Sequence, residues 1–362
     1  MSSGQRRGWR FAGTLRLIVA LLALPACTPT SSRMASPQPT TGQIVQRAPK
    51  PTPQFADGAF ITTDGARLPL REWLPRGKIK AVILALHGFN DYSNAFAAPG
   101  TAWAKDGIAT YAYDQRGFGA APKRGRWPGR AALATDAATA CGILRRRYPG
   151  VPLYLLGESM GGAVAVIAMT GESGTPVPNV DGVILAAPAV WGRPTMGLIP
   201  RIALAVTVRL APGLTLTGRG LHIRASNNIP MLRALARDPL VIKDTRVDTI
   251  WGLVNLMDAA LAAAPRLRAP LLLMYGAKDE IIPKRPIRRF VRSLPHDPAG
   301  RRSLAYYPHG YHMLMRDLDG PMVAADVAGW VLAPRAQLRS GADRGAPEAV
   351  LGGTSQASLG GP

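Results

Sequence analysis

"LLGESMGG", residues 155–162, breaks an apolar run into glycines around a single serine. Two arrangements put Ser159 between Gly157 and Gly161: a nucleophile held on a strained turn, or an ordinary Gly-rich loop. The G-x-S-x-G pattern alone decides little. In 362 residues with 39 Gly and 14 Ser, a chance match has odds of about one in six. Its flanks decide more: a strand-like run ends at Leu156, and "MGGAVAVIAMT" reads as a helix from Met160. Strand, sharp turn, helix is the setting a nucleophile elbow requires. The glycines then have a steric reason, because the turn brings neighbouring backbone so close that a Cβ would clash. Gly162 serves close helix–sheet packing.

The rest of the folded region alternates two signals. "GAFITTDGARLPLREWLP" (58–75) reads as a hairpin around Asp64 and Gly65. Short apolar runs follow that fit buried strands: "AVILALHG" (81–88), "ATYAYDQRG" (109–117), "VPLYLLGES" (151–159), "VDGVILAAPA" (180–189), "PLLLMYGAKD" (270–279) and "SLAYYPHG" (303–310). Helix-length segments separate most of them, which argues for a parallel α/β sheet covered on both faces. The gap of about 80 residues between the fourth and fifth runs exceeds any plain crossover, so an extra unit is inserted there.

A serine hydroxyl is a poor nucleophile until a base takes its proton. Of the five histidines, His222 lies in the inserted region and His296 in a Pro-rich loop; both read as solvated loop residues. His87 closes the first buried strand. His309 and His312 follow the last strand in "PHGYHMLMRD". The carboxylate is expected at the tip of the strand before that histidine, where "LLLMYGAKDEIIP" supplies Asp279.

The motifs "HGFND", "YDQRGFGAA", "GESMGG", "AAPA", "RDPL", "YGAKDEIIP" and "HGYHMLMRD" occur in that order within residues 58–334. Together they resemble the α/β-hydrolase superfamily, and within it the monoacylglycerol lipase/lysophospholipase-like group with a serine aminopeptidase S33-type domain. The resemblance implies an α/β-hydrolase fold, a mostly parallel sheet covered by helices on both faces with a helical cap insertion. It implies Ser159 as nucleophile, Asp279 as acid and His312 as base, with His312 matching the family's G-x-x-H turn. The oxyanion hole would use the backbone N–H groups of Phe89 and Met160. Phe89 is bulkier than the small residue usual in the "HG" loop. His87, Asp114 and Arg116 are read as loop-ordering residues. The insert, about 190–255, resembles the family's cap; its segment 196–216 is apolar, amphipathic and interrupted by Pro200 and Pro212.

Outside that region composition speaks. Residues 1–26 have a basic start, Arg6, Arg7 and Arg10, and then an apolar stretch of about 12 residues, too short for a spanning helix and typical of a secretory signal. "LPAC" at 24–27 resembles a bacterial lipobox, which makes Cys27 a lipidation site. Residues 27–55 read as a Pro/Ser/Thr-rich linker, 56–334 as the hydrolase domain and 335–362 as a disordered tail. With Cys27 acylated, Cys141 has no disulfide partner and reads as a buried thiol. Net charge is +22; losing the signal's four arginines, with no acid beside them, leaves +18. Compositional bias explains most of this, with attraction to an anionic membrane second. No motif for nucleic acid accompanies the charge.

The expected function is a serine ester hydrolase cleaving single-chain lipid esters, monoacylglycerols or lysophospholipids, through an acyl-enzyme. The alternatives are an aminopeptidase-type hydrolase of short peptides and a non-catalytic binding lipoprotein on the same fold. No cofactor and no metal are expected, since no ligand cluster has zinc spacing. The partners expected are the lipid-ester substrate and, through Cys27, a membrane: the bacterial cell envelope, the outer membrane favoured, facing the periplasm. The sequence assigns no oligomeric state.

Overall fold

A computed structural model describes residues 51–352, apart from 173, 175, 219, 221 and 222. The expected signal, Cys27, most of the linker, His222 and the last ten residues lie outside that range. In chain order the strands are β1 (Gln54–Ala56), β2 (Ala59–Ile61), β3 (Arg67–Trp73), β4 (Ala81–Leu86), β5 (Ile108–Tyr113), β6 (Leu153–Glu158), β7 (Gly182–Ala186), β8 (Thr215–Thr217), β9 (Asp244–Arg246), β10 (Leu271–Gly276) and β11 (Arg302–Tyr307). The α-helices are α1 (Ala97–Lys105), α2 (Arg130–Arg147), α3 (Met160–Met169), α4 (Leu198–Leu210), α5 (Ile229–Arg237), α6 (Val247–Ala263), α7 (Lys284–Ser293), α8 (Gly320–Leu332) and α9 (Ala346–Leu351).

The sheet runs β1-β2-β3-β5-β4-β6-β7-β10-β11. The expected hairpin is β2–β3, antiparallel with Phe60 opposite Leu68. Strand β3 is antiparallel to β5, and every pairing from β5 to β11 is parallel. All side chains of β4, β5, β6, β7 and β10 are buried, as continuous apolar runs covered on both faces require. Alternation still sorts them by face: Leu84, Leu155 and Val183 join one core, Ile83, Leu156 and Ile184 the other. The first core packs beneath α2, α3 and α6, the second beneath α1 and α8 around Trp103 and Trp330. Strand order reverses at β4, whose neighbours are β5 and β6. Such a reversal opens a crevice at the strands' carboxyl ends. The loops after β4 and β6 therefore meet there, one carrying Phe89, the other Ser159.

The insert between β7 and β10 holds α4, the small β8–β9 ribbon, α5 and α6. The expected cap limit at residue 255 falls inside α6, which is continuous. Its Val254, Leu256, Ala260 and Ala263 are buried, and the helix packs on α3. One helix thus serves both the cap and the core.

Two sequence expectations need correction. The linker was expected to reach residue 55, but Phe55 lies in β1, stacked on Tyr111 with 5.7 Å between ring centroids. The tail was expected to be structureless from 335. Instead Leu338, Ala346 and Val350 are buried, and α9 packs against α7 and β11. Their apolar side chains finish the edge of the sheet that β11 would otherwise leave open. Removing residues 335–362 should cost about 3 kcal/mol or more, since the apolar side chains that Leu338, Ala346 and Val350 pack against would meet water. Urea unfolding of the shortened and full chains measures the difference; equal midpoints would contradict the packing.

Candidate active site

Ser159 occupies the turn between β6 and α3 with φ 52° and ψ −114°. A non-glycine residue rarely holds a positive φ, and the cost is borne by its surroundings. Here the surroundings are backbone. A Cβ on Gly157 would overlap the carbonyl of Gly161, and one on Gly161 would overlap the carbonyl of Leu86 at the end of β4. On Gly162 it would come within 3.0 Å of Pro188. Ser159 itself is tied on both sides: its N–H donates to Ala186 (2.9 Å), and its carbonyl accepts from Ala189 (2.9 Å) and Ala163 (3.2 Å). The turn cannot relax without breaking β6–β7 continuity.

His312 is 4% exposed and lies after β11. Its Nδ1–H donates to Asp279 Oδ2 at 2.8 Å. Asp279, in the loop after β10, accepts the N–H groups of Ile281 (2.8 Å) and Ile282 (2.9 Å) on its other oxygen. These bonds fix the carboxylate's orientation, and through it the imidazole's tautomer, leaving Nε2 as the free ring nitrogen. Ser159 and His312 line one cavity of about 390 Å³. His309, three residues earlier, is exposed, as is His296.

Phe89 follows His87 and Gly88 after β4 and lines the same cavity, its ring edge-on to Phe118 at 5.5 Å. Met160 is the first residue of α3, whose opening N–H groups have no partner within the helix. His87 orders the Phe89 loop. Its Nδ1–H donates to the Gly88 carbonyl (2.8 Å), and its Nε2 accepts the Gln115 N–H (2.9 Å). Burial pushes its pKa below the usual histidine value, so it stays neutral. Asp114 accepts the N–H and hydroxyl of Ser93 and the N–H of Ala120. Arg116 pairs with Asp136 and Asp64. Cys141 is free and buried, its thiol pushed up to about 12 by burial.

The cap reaches the loops that carry Phe89 and His312. Asn90, itself at φ 63°, accepts the Ile242 N–H on its carbonyl (2.9 Å) and donates its amide to Thr245 Oγ1 (2.6 Å). In the histidine loop, Met313 N–H donates to the Ala225 carbonyl (3.0 Å), and Ser226 Oγ donates to Asp317 (2.6 Å).

Most of the cavity wall is apolar, with Trp191, Met196, Ile250, Leu253 and Met257 from the insert. One corner is charged: Arg316 lies between Asp91 and Glu158, 2.7 Å from a carboxylate oxygen of each. The sequence reading did not single out these three residues. All three stand inside quoted motifs, "HGFND", "GESMGG" and "HGYHMLMRD", and only the fold brings them together. Among the described residues, no group of three or more His, Cys, Asp or Glu side chains is placed to hold a metal ion.

A profile of the family described as "Serine aminopeptidase, S33" matches residues 77–319. A Mycolicibacterium smegmatis protein named monoacylglycerol lipase is 25% identical over 280 residues, which cover 76% of this chain and 97% of that one. Human monoglyceride lipase is 24% identical over 277 residues, covering 75% and 88%. Among solved structures, the monoacylglycerol lipase of Paleococcus ferrophilus superposes with a TM-score of 0.61 at 22% identity, over 74% of this chain and 98% of that one.

If Asp279 sets the tautomer of His312, Asp279→Asn should fold normally yet lower ester turnover by about ten-thousand-fold. Steady-state kinetics of the purified variant, with circular dichroism for the fold, checks this. A loss of less than tenfold would contradict it.

Proposed function

The chain belongs to the serine aminopeptidase S33 family of α/β-hydrolases and is a serine ester hydrolase, and we propose that it cleaves carboxylic esters of single-chain lipids, monoacylglycerols foremost. The observation that carries this reading is the His312–Asp279 pair, whose imidazole lines the same mostly apolar cavity of about 390 Å³ as Ser159. That volume and lining suit one hydrocarbon chain.

In this reading His312 Nε2 takes the proton of Ser159 Oγ as the oxygen attacks the ester carbonyl. The N–H groups of Phe89 and Met160 receive the oxyanion. Such donors are worth about 3 kcal/mol each when set in place beforehand. The tetrahedral intermediate collapses, the C–O bond to the alcohol breaks, and the imidazolium returns its proton to that oxygen. Water, deprotonated by the same imidazole, then releases the fatty acid and restores the serine. Asp279 holds the imidazolium throughout without taking its proton.

The membrane belongs to the same proposal. Cys27 would carry a lipid anchor in a bacterial envelope, on the periplasmic side of the outer membrane. Helix α4 starts two residues after the cavity-lining Met196 and exposes Leu198, Ile199, Ile202, Val206 and Leu210. Arg201 and Arg209 stand on the same helix. An apolar face with arginines among its residues suits the headgroup boundary of an anionic bilayer, from which single-chain esters would enter the cavity.

A fluorophosphonate probe should label the wild-type chain and fail on Ser159→Ala, while 1-oleoylglycerol is hydrolysed by the first and not the second. Labelling that survives in the variant would overturn the assignment. For the membrane, incorporation of a labelled fatty acid should be lost in Cys27→Ser. Binding of that unacylated chain to anionic vesicles should weaken further with Ile199→Asp and Leu210→Asp; unchanged binding would remove α4 from the account.

A further inference from the structure

The loop that carries Phe89 is held from two sides. On the sheet side, the His87 carbonyl accepts the Gln115 side-chain amide (2.8 Å), and His87 Nε2 accepts the Gln115 N–H (2.9 Å). On the other side the insert's segment 238–245 takes hold of it. Tyr92 Oη donates to Asp238 Oδ2 (2.7 Å), and the Ile242 N–H donates to the Asn90 carbonyl (2.9 Å). The Asn90 amide donates to Thr245 Oγ1 (2.6 Å).

Asn90 directly follows Phe89 and sits at φ 63°. Glycine takes that conformation more freely than asparagine, so the turn alone gives no reason for a side chain here. The contact with the insert does. Asn90 Oδ1 is buried without a hydrogen-bond partner, which leaves Thr245 as the group that holds the amide. Thr245 is 7% exposed and lies in β9 opposite Leu216 of β8, two residues before α6 begins. Helix α6 then lines the cavity with Ile250, Leu253, Val254 and Met257. One continuous piece of chain thus runs from the acyl wall to the residue beside Phe89.

An oxyanion donor works only when it is set in place to within about 0.5 Å before charge develops. Helix α3 fixes the Met160 N–H, whereas Phe89 lies in a loop and is located by what its neighbours bind. We propose that Asn90 is a positioning residue: its bond to Thr245 sets the Phe89 N–H, so the oxyanion hole is complete only while segment 238–245 is seated. The inference rests on the ester-hydrolase reading above and assigns Asn90 and Thr245 a part in it. Neither residue lines the cavity of Ser159. Breaking their bond therefore weakens the hold on the transition state and leaves substrate binding as it was.

Hydrolysis of 1-oleoylglycerol and inhibition by a hexadecyl trifluoromethyl ketone test this together. Ser159 Oγ adds to the ketone carbon, its proton passes to His312, and the carbonyl oxygen becomes the oxyanion. Thr245→Val should lower kcat about fivefold with KM changed by less than about twofold, and weaken the ketone by the same factor as kcat. Thr245→Ser, which keeps the hydroxyl, should recover most of the loss. Adding Asn90→Gly to Thr245→Val should slow the enzyme no further, because both changes remove one bond. Should Thr245→Val fail to fold, Asn90→Gly, which suits the positive φ, reads the same three quantities. An unchanged kcat, a change in KM alone, losses that multiply in the double variant, or a Thr245→Ser as slow as Thr245→Val would overturn the proposal and leave the esterase standing. A wild-type chain that hydrolyses no oleoylglycerol would sink both.

Discussion

The backbone of Gly157 touches that of Gly161, and Gly161 touches Leu86, with no space for a side-chain carbon at either glycine. This closeness makes the molecule's chemistry possible. It draws the start of α3 against the ends of β4 and β6 and holds Ser159 at φ 52°, a conformation the serine would not keep alone. The loops after β4 and β6 become neighbours because strand order reverses between them. Ser159 and the Phe89 loop then share one crevice, and the loops after β10 and β11 bring Asp279 and His312 to it from the other side. The arrangement is stiff, because each loop leaves a parallel strand, and β4, β6 and β10 are fully buried.

The insert does more than roof this crevice. Segment 242–245 hydrogen-bonds to Asn90, one residue beyond Phe89, and segment 225–228 binds the loop carrying His312. Arg316 completes the linkage from inside, its one guanidinium between Asp91 of the Phe89 loop and Glu158 beside Ser159. Three chain segments that line the cavity are thus joined by polar contacts, and the rest of its wall is mostly apolar. Polar groups in such surroundings interact strongly and tolerate poor pairing badly.

The sequence made the fold legible wherever a signal was local. Continuous apolar runs marked β4 to β7 and β10, because strands buried on both faces must read that way. The turn at Asp64 and Gly65 marked the hairpin, and the glycines around Ser159 marked the elbow. The resemblance of "HGYHMLM" to the family's G-x-x-H turn points to His312, and the structure puts His312, not His309, against Asp279. What escaped was fixed by distant partners. Phe55 sits in a Pro- and Thr-rich stretch and becomes strand only because Tyr111 and Phe60 lie beside it. Leu338 and Val350 are isolated among polar and small residues, and their burial depends on α7 and β11. Asp91, Glu158 and Arg316 come from three remote segments, and no spacing announces that they meet.

The central claim is that the Ser159 turn, the two backbone N–H groups and His312 act on one carbonyl carbon. A crystal structure of the enzyme inactivated by an alkyl fluorophosphonate tests it most directly. The account predicts phosphorus bonded to Ser159 Oγ, one phosphoryl oxygen within about 3 Å of the N–H groups of both Phe89 and Met160, His312 Nε2 facing Oγ, and the alkyl chain among Trp191, Ile250 and Met257. An adduct whose phosphoryl oxygen points away from those two N–H groups, or a different imidazole beside Oγ, would contradict it.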